Sequence, residues 1–392
     1  MGEMIVGVLG AGTMGSGIAK VAAVAGHQVI LADPFVGAVD RARDAHAKTM
    51  AREVEKQRLT REQADQVLGR IRYLTPAAGD YSAFAPAGLV IEAIIEDLAI
   101  KKATFKGLEA ATTDTAILAS NTSSLSITAI SSACRHPERV IGIHFFNPAP
   151  VLPLVEIVPG LTTDADVTTR AKALVDSWGK TTVLASDTPG FIVNRIARPF
   201  YSEALRIFEE GLADKATIDW ALKEFGGFKM GPFELMDLIG NDVNYAVSSS
   251  VFEAFGYDPR YRPFLSQKRL VDGGLFGRKT GRGHFDYRPG AVNPEPTKDP
   301  SLGATIADRI LAVLINAAVD ALFWRVASAG DIDLAMTKGV NYPKGLLAWA
   351  DQIGPAAILT RLDRLFAEYG EERYRASALL RRVAAAKGMF LP

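Results

Sequence analysis

The sequence predicts an α/β domain of dinucleotide-binding build followed by an all-α domain present in two tandem copies. Three observations predict it. The first is a strand, glycine turn, helix, strand and acid in series: MIVGVL, then Gly10-Ala-Gly12-Thr13-Met14-Gly15-Ser-Gly17, then IAKVAAVAG, then HQVILAD ending at Asp33. In that setting a GxGxxG turn marks a Rossmann-type α/β sheet. The second is a change of period. From Asp187 on, apolar positions keep helical spacing to about residue 272, with no further convincing strand. The third is an internal repeat, in which 195–240 matches the chain 114 residues later without a gap.

The composition sets limits. The 392 residues suffice for two or three domains, and 48% hydrophobic with 22% charged is ordinary for a globular chain. Lys+Arg and Asp+Glu are 44 each, so net charge gives no support for a nucleic-acid or membrane-surface partner. Any anion site must be local. Cys134 is the single cysteine, which excludes an intrachain disulfide and fits a reducing cytoplasm. No apolar run is long enough to span a bilayer. VAAVAG at 21–26 faintly resembles a signal-peptidase site, but Glu3 replaces a basic leader and glycines at 7–17 interrupt the apolar run. No signal peptide is expected, and no metal.

In the first domain, 1–187, Gly10 allows the tight turn, Gly12 lets the backbone approach a pyrophosphate at a helix N-terminus, and Gly15 allows close helix–sheet packing. Asp33 follows Gly12 by 21 residues. A carboxylate there accepts the hydroxyls of an adenosine ribose and repels a 2′-phosphate, and Pro34 rather than an arginine follows it. That favours NAD over NADP. Residues 37–72 read as two polar helices, with Arg52 and Lys56 on one face and Arg58 nearby, either a solvated surface or an anion patch. The doubly wound pattern resumes with a strand at 88–94 ending in carboxylates Glu92 and Glu96. A helix (97–112), a strand running into a polar turn (116–125), a strand at 139–146 and an α/β unit at 164–184 follow.

Prolines 148, 150 and 153 forbid a helix after residue 146, so a braced connection leads to a strand at 154–158. Such a connection can bring His144 and Glu156 face to face. Histidine exchanges a proton near neutral pH, and a carboxylate on its far nitrogen fixes the tautomer and stabilises the imidazolium. Alone, such a pair is more often a surface or interface pair than a catalytic one.

The helical domain, 188–287, opens with TPGFIVNRIARPFYSEALRIFEEG, read as one long helix with Pro189 and Gly190 at its start. It ends in GRKTGRGHFDY. The linker, 288–304, carries prolines 289, 294, 296 and 300, and the second copy is 305–392. Arg195-Ile196 recurs as Arg309-Ile310, Ile218-Asp219 as Ile332-Asp333, and Gly231, Asp237 and Gly240 as Gly345, Asp351 and Gly354. Asp308 stands in the place of Asn194, so the second copy keeps packing positions and loses a polar one. That singles out Asn194. Helical half-domains with an apolar face usually pair, so the copies are expected to form an internal pseudo-dimer, the whole chain being a monomer or homodimer.

Together VLGAGTMGSGIA, ASNTSSLSI, IGIHFFNPAPVLPLVEI, TPGFIVNRI and GPFELMDLIG resemble the L-3-hydroxyacyl-CoA dehydrogenases, including the 3-hydroxybutyryl-CoA enzymes. The resemblance runs from about residue 4 to 287, with 305–392 as an extra helical copy. It implies NAD-dependent oxidation at C3 of a 3-hydroxyacyl-CoA, in β-oxidation of fatty acids or of aromatic-derived acids. It places catalysis on Ser123, His144, Glu156 and Asn194. Cofactor contacts fall on the glycine turn (Gly10, Gly12, Thr13, Met14, Gly15), Asp33, Glu96, Lys101 and Lys279. The acyl-CoA falls on Ser123, Asn147 and, for the CoA phosphates, Arg52, Lys56 and Arg58. His284 stands where the family's tail has an aromatic, with a structural effect expected. A sugar-acid dehydrogenase of similar build and a non-catalytic NAD-binding descendant are the alternatives.

Overall fold

The computed structural model describes residues 4–391, so Glu3 and the outermost ends of the first and last predicted domains lie outside the described residues. The chain separates into two compact units, one ending at Thr188 and one beginning at Pro189.

In the first unit the described residues form one eight-stranded sheet. Its strands are β1 (Val6–Leu9), β2 (Val29–Ala32), β3 (Ile71–Leu74), β4 (Leu89–Glu92), β5 (Ile117–Ser120), β6 (Val140–Phe145), β7 (Leu154–Pro159) and β8 (Thr181–Leu184), in the order β3-β2-β1-β4-β5-β6-β7-β8. All pairs are parallel except β6 with β7. Helices α1 (Thr13–Val24), α2 (Ala38–Glu55), α3 (Arg61–Gly69), α4 (Leu98–Ala111), α5 (Ile127–Ser131) and α6 (Ala165–Ser177) complete the unit. Strands β1, β2, β4 and β5 are buried at every position, which is why they read as unbroken apolar runs. Strand β3 corrects the reading of 37–72 as helix alone. It is an edge strand with only Ile71 buried, so it lacks the apolar run that marks its neighbours.

Buried His46 fastens α2 to the rest of the unit. Its Nε2 lies 2.9 Å from Ser16 O in α1 and its Nδ1 lies 2.8 Å from Tyr73 Oη in β3. A carbonyl only accepts, so Nε2 carries the hydrogen and the tyrosine hydroxyl donates to Nδ1. Burial, with Lys20 nearby, lowers the pKa of His46.

The second unit is helical: α7 (Val193–Ile196), α8 (Arg198–Glu209), α9 (Lys215–Glu224), α10 (Pro232–Ile239), α11 (Asn241–Ala254), α12 (Leu265–Asp272), α13 (Pro300–Phe323), α14 (Ala329–Gly339), α15 (Leu346–Ile353), α16 (Pro355–Tyr369) and α17 (Ala378–Ala386). The single helix expected over 188–211 is two. Gly190 and Phe191 hold positive φ, and the helical run is interrupted at Ala197. Pro199 supplies the cause, since it has no N–H and its ring obstructs the preceding turn. At the same place 114 residues on stands Val313, and α13 runs through it unbroken. The linker is also shorter than predicted, because Asp299 caps α13 with Pro300 in its first turn.

The 114-residue spacing carries into three dimensions. Helices α10 and α15 have matching limits. Asp219 accepts the amides of Phe233 and Glu234, and Asp333 those of Leu347 and Ala348. Asp237 accepts those of His284 and Phe285, and Asp351 those of Phe390 and Leu391. Helix α13 packs on α8 and α9. At Gly303 a Cβ would stand 2.5 Å from Phe225 and 2.7 Å from Trp220. Buried Arg309 donates to Glu203 at 2.6 Å and to Glu210, while Tyr374 Oη donates to Glu203 at 2.7 Å. Asp320 lies 2.9 Å from Arg260 and 3.7 Å from Arg195. The segment before α13 is pinned, by Asn293 to the backbone of Asp286 and by Thr297 N–H to Thr217 Oγ1. No helix among the described residues is long and apolar enough to cross a membrane.

His284 is buried against Phe233, ring centroids 4.9 Å apart, and neither ring nitrogen has a hydrogen-bond partner among the described residues. Burial, with Lys215 adding to it, pushes its pKa down to about 3. The folded state therefore holds it neutral, while the unfolded chain binds a proton near the ordinary value of about 6.5. Its contribution is complete above that value and is lost as pH falls towards the folded pKa. Wild-type protein should lose about 2 kcal/mol through this group between pH 7 and 5. His284→Phe should be less acid-sensitive by that amount. Parallel loss of Tm in both proteins over this range would refute the assignment.

Candidate active site

The carboxyl edge of the parallel strands gathers the first unit's polar groups. Gly10 closes β1 at φ +102°, and a Cβ there would meet Ala93 O at 2.4 Å. Gly15 is confined even more tightly, since its Cβ would fall 1.8 Å from Gly10 O. The tightest contact is with the turn itself, and the side chain of Val8 in β1 follows at 3.5 Å. Gly12 caps α1 without a side-chain hydrogen bond, and nothing stands within 4 Å of where its Cβ would be. Thr13 is exposed and Met14 half-buried in the turn that follows. An open, uncapped helix N-terminus fits a pyrophosphate. Asp33 accepts Ala11 N–H at 2.8 Å and Phe35 N–H at 2.9 Å, which ties the end of β2 to the glycine turn. A carboxylate has about four lone-pair sites, so it retains capacity for ribose hydroxyls. The donor set therefore fits NAD. Its negative charge disfavours a 2′-phosphate, so kcat/KM should be higher with NADH than with NADPH. Equal or better use of NADPH by the unmodified protein would contradict this.

Glu92 and Lys101 are both buried. Lys101 is 1% exposed and its ammonium lies 2.6 Å from Glu92 and 3.3 Å from Glu96. It is a buried counter-charge rather than a group presented at the surface. Glu96 remains exposed and accepts from Thr122 Oγ1, Ser123 N–H and Ser124 Oγ. Burial works to raise its pKa, but Lys101 and these hydroxyl donors outweigh that and lower it. Ser123 is half-buried in this turn.

Strands β6 and β7 pair antiparallel with His144 opposite Glu156. Both are buried, and His144 Nδ1 lies 2.7 Å from Glu156 Oε2. A carboxylate accepts, so Nδ1 carries the hydrogen and the basic lone pair of the neutral ring is on Nε2. Two supports escaped the sequence reading. Asn121 Oδ1 accepts Phe145 N–H at 2.9 Å, fixing the end of β6. Lys180 Nζ donates to Ala149 O at 2.6 Å and Leu152 O at 2.9 Å, bracing the loop between the two strands. Neither left a signal, because each grips backbone distant in sequence. Asn147 is exposed on that loop and precedes a cis proline.

Arg52 and Lys56 are exposed at the end of α2, and Arg58 pairs with Glu53 at 3.4 Å. In the second unit Asn194 is half-buried in α7, and exposed Lys279 pairs with Asp242 at 2.7 Å.

The family model described as 3-hydroxyacyl-CoA dehydrogenase, NAD binding domain, matches residues 5–188, and the C-terminal domain of the same family matches 190–287 and 306–389. The chain is 42% identical to a 3-hydroxyadipyl-CoA dehydrogenase of Escherichia coli, with 97% of each covered. It is 39% identical to a 3-hydroxybutyryl-CoA dehydrogenase of Mycobacterium tuberculosis, over 72% of this chain and 98% of the other. A crystal structure of 3-hydroxybutyryl-CoA dehydrogenase from Escherichia coli K12 superposes with a TM-score of 0.92 at 40% identity, covering 99% of both chains. With the glycine turn, the Asp33 carboxylate tied to it and these matches in agreement, the chain belongs to the 3-hydroxyacyl-CoA dehydrogenase family of NAD-dependent oxidoreductases.

Proposed function

We propose that the chain oxidises (S)-3-hydroxyacyl-CoA thioesters reversibly to 3-oxoacyl-CoA, with His144 as proton acceptor and Glu156 as its orienting carboxylate. The observation that supports this most is the 2.7 Å hydrogen bond between these two buried side chains at the carboxyl edge of the sheet. Bound NAD supplies the hydride acceptor. His144 Nε2 takes the proton of the C3 hydroxyl, and Glu156 stabilises the imidazolium so formed. Ser123 is assigned to the substrate hydroxyl and Asn147 to the thioester end. Asn194 is assigned to the substrate oxygen on the sequence resemblance and on its replacement by Asp308 at the repeat position. Glu96 is assigned to the cofactor, with Lys101 acting through it, and Lys279 likewise on the resemblance. Loss of absorbance at 340 nm on mixing with NADH and acetoacetyl-CoA tests the reading, and no loss would reject it.

We assign the CoA phosphates to Arg52 and Lys56, with a smaller part for Arg58 because Glu53 already engages it. Removing the charges of Arg52 and Lys56 should raise KM for acetoacetyl-CoA and leave KM for a short pantetheine thioester alone. Equal effects on both substrates would count against the patch.

The domain reading follows the same logic: a nucleotide domain to about residue 187, a helical copy to 287, a strap, and a second copy opened by α13. Matched carboxylate caps at a spacing of 114 support the duplication. The second copy contributes packing and no catalytic group, and the two copies form an internal pseudo-dimer. The lone cysteine, half-buried Cys134, accords with a cytoplasmic setting.

A further inference from the structure

One turn beyond Asn194 lies a buried charge that the chain does not neutralise. Arg198, the first residue of α8, is 7% exposed. Its Nε donates to Asn194 O at 3.1 Å and an Nη to Ser248 Oγ at 3.1 Å. No carboxylate among the described residues pairs with it, whereas the unit's other buried arginines have one: Asp320 for Arg195, and Glu203 and Glu210 for Arg309. Carbonyls can also satisfy a buried guanidinium, as at Arg139, which donates to four oxygens. Arg198 has two. Its guanidinium lies 5.0 Å from the centre of the Tyr201 ring, a face that tolerates a cation without cancelling its charge. Burial lowers its pKa.

Two further observations point to an anion. Arg198, Ser248, Gln267 and exposed Arg262 line one small cavity of about 10 Å³, and no acidic side chain lines it. It has room for about one water-sized group. The fold does not demand this polar set either. At a spacing of 114 the places of Arg198, Asn244 and Ser248 are taken by Ala312, Ile358 and Leu362, and at 113 that of Gln267 by Leu380, all fully buried. Helices α13, α16 and α17 pack together there with no polar side chain at those four places. A buried cation is costly unless paired, so a ligand is the natural source of the missing charge.

We propose that Arg198 determines specificity by receiving the terminal carboxylate of a dicarboxylic acyl chain, as in 3-hydroxyadipyl-CoA. The proposal rests on the 3-hydroxyacyl-CoA reading above. In a six-carbon chain the C6 carboxyl lies three bonds beyond the reacting C3, about 4 Å when extended. Arg198 Nε lies 3.1 Å from the backbone carbonyl of Asn194, the residue whose side chain is assigned to the C3 oxygen. A guanidinium held that close to Asn194 is within reach of a carboxylate about 4 Å from C3.

The test compares kcat/KM, with NAD, for 3-hydroxyadipyl-CoA and for 3-hydroxyhexanoyl-CoA, which has the same length and no terminal charge. The wild-type ratio should exceed about 10, and Arg198→Met should lower it on the order of 10²-fold. Arg198→Lys keeps the charge without the fork and should give an intermediate ratio, which serves if the methionine variant fails to fold. A wild-type ratio at or below one, or equal losses on both substrates in the variants, would overturn the role of Arg198 and leave the dehydrogenase reading intact. Oxidation of neither substrate would remove the dehydrogenase reading, and this one with it.

Discussion

His144→Ala is expected to lower kcat by about 10²- to 10⁴-fold, the usual worth of a general base, while Kd for NADH changes no more than a few-fold. The separation follows from geometry. His144 is the penultimate residue of β6, and its Nδ1 is engaged by Glu156, whereas the glycine turn and Asp33 follow β1 and β2. Glu156→Gln is the finer probe. An amide oxygen still accepts from Nδ1–H and keeps the tautomer, but the negative charge that stabilises the imidazolium is gone. Its kcat should fall less than that of His144→Ala. Retention of more than about a tenth of wild-type kcat by His144→Ala would remove His144 from the proton-accepting role.

The largest loss of stability is expected at Glu203. This buried carboxylate accepts from Arg309 at 2.6 Å and from Tyr374 Oη at 2.7 Å, with Arg373 at 3.8 Å. Glu203→Ala leaves buried Arg309 with Glu210 alone and strips the tyrosine hydroxyl of its acceptor. Breaking a buried pair from one side typically costs about 3–5 kcal/mol. Replacing both partners by apolar residues of similar volume should cost much less. Urea denaturation of Glu203→Ala, Arg309→Met and the Glu203→Leu/Arg309→Met double variant would measure this. A single variant within about 1 kcal/mol of wild type would show the pair to be peripheral.

Much of the fold was legible because burial leaves a simple mark. Strands covered on both faces become unbroken apolar runs, and the glycine turn needs glycine where its backbone meets Ala93 O. The His144–Glu156 pairing was legible because three prolines leave no alternative to a turn between two strands. The misses have equally physical causes. Strand β3 is an edge, so only Ile71 of its four side chains is buried. The break before α8 was visible in Pro199, but apolar periodicity ran straight through it, and Val313 shows what the helix does without the proline. The burial of Lys101 left no mark in the sequence, because nothing local reveals that the end of β4 would meet its ammonium. His46, Asn121 and Lys180 grip partners from 24 to 31 residues away, beyond any local pattern.

The strap between Arg288 and Asp299, pinned at Asn293 and Thr297, has a consequence for how the protein responds to dilution. A helical interface shared by two separate chains comes apart as their concentration falls below its Kd. Here the two faces belong to one molecule, and a short tether holds each in the presence of the other at an effective concentration on the order of millimolar. That figure does not depend on how many molecules the solution contains. On the proposed pairing of the two copies, assembly of the helical unit is removed from mass action, and its melting temperature should not depend on protein concentration.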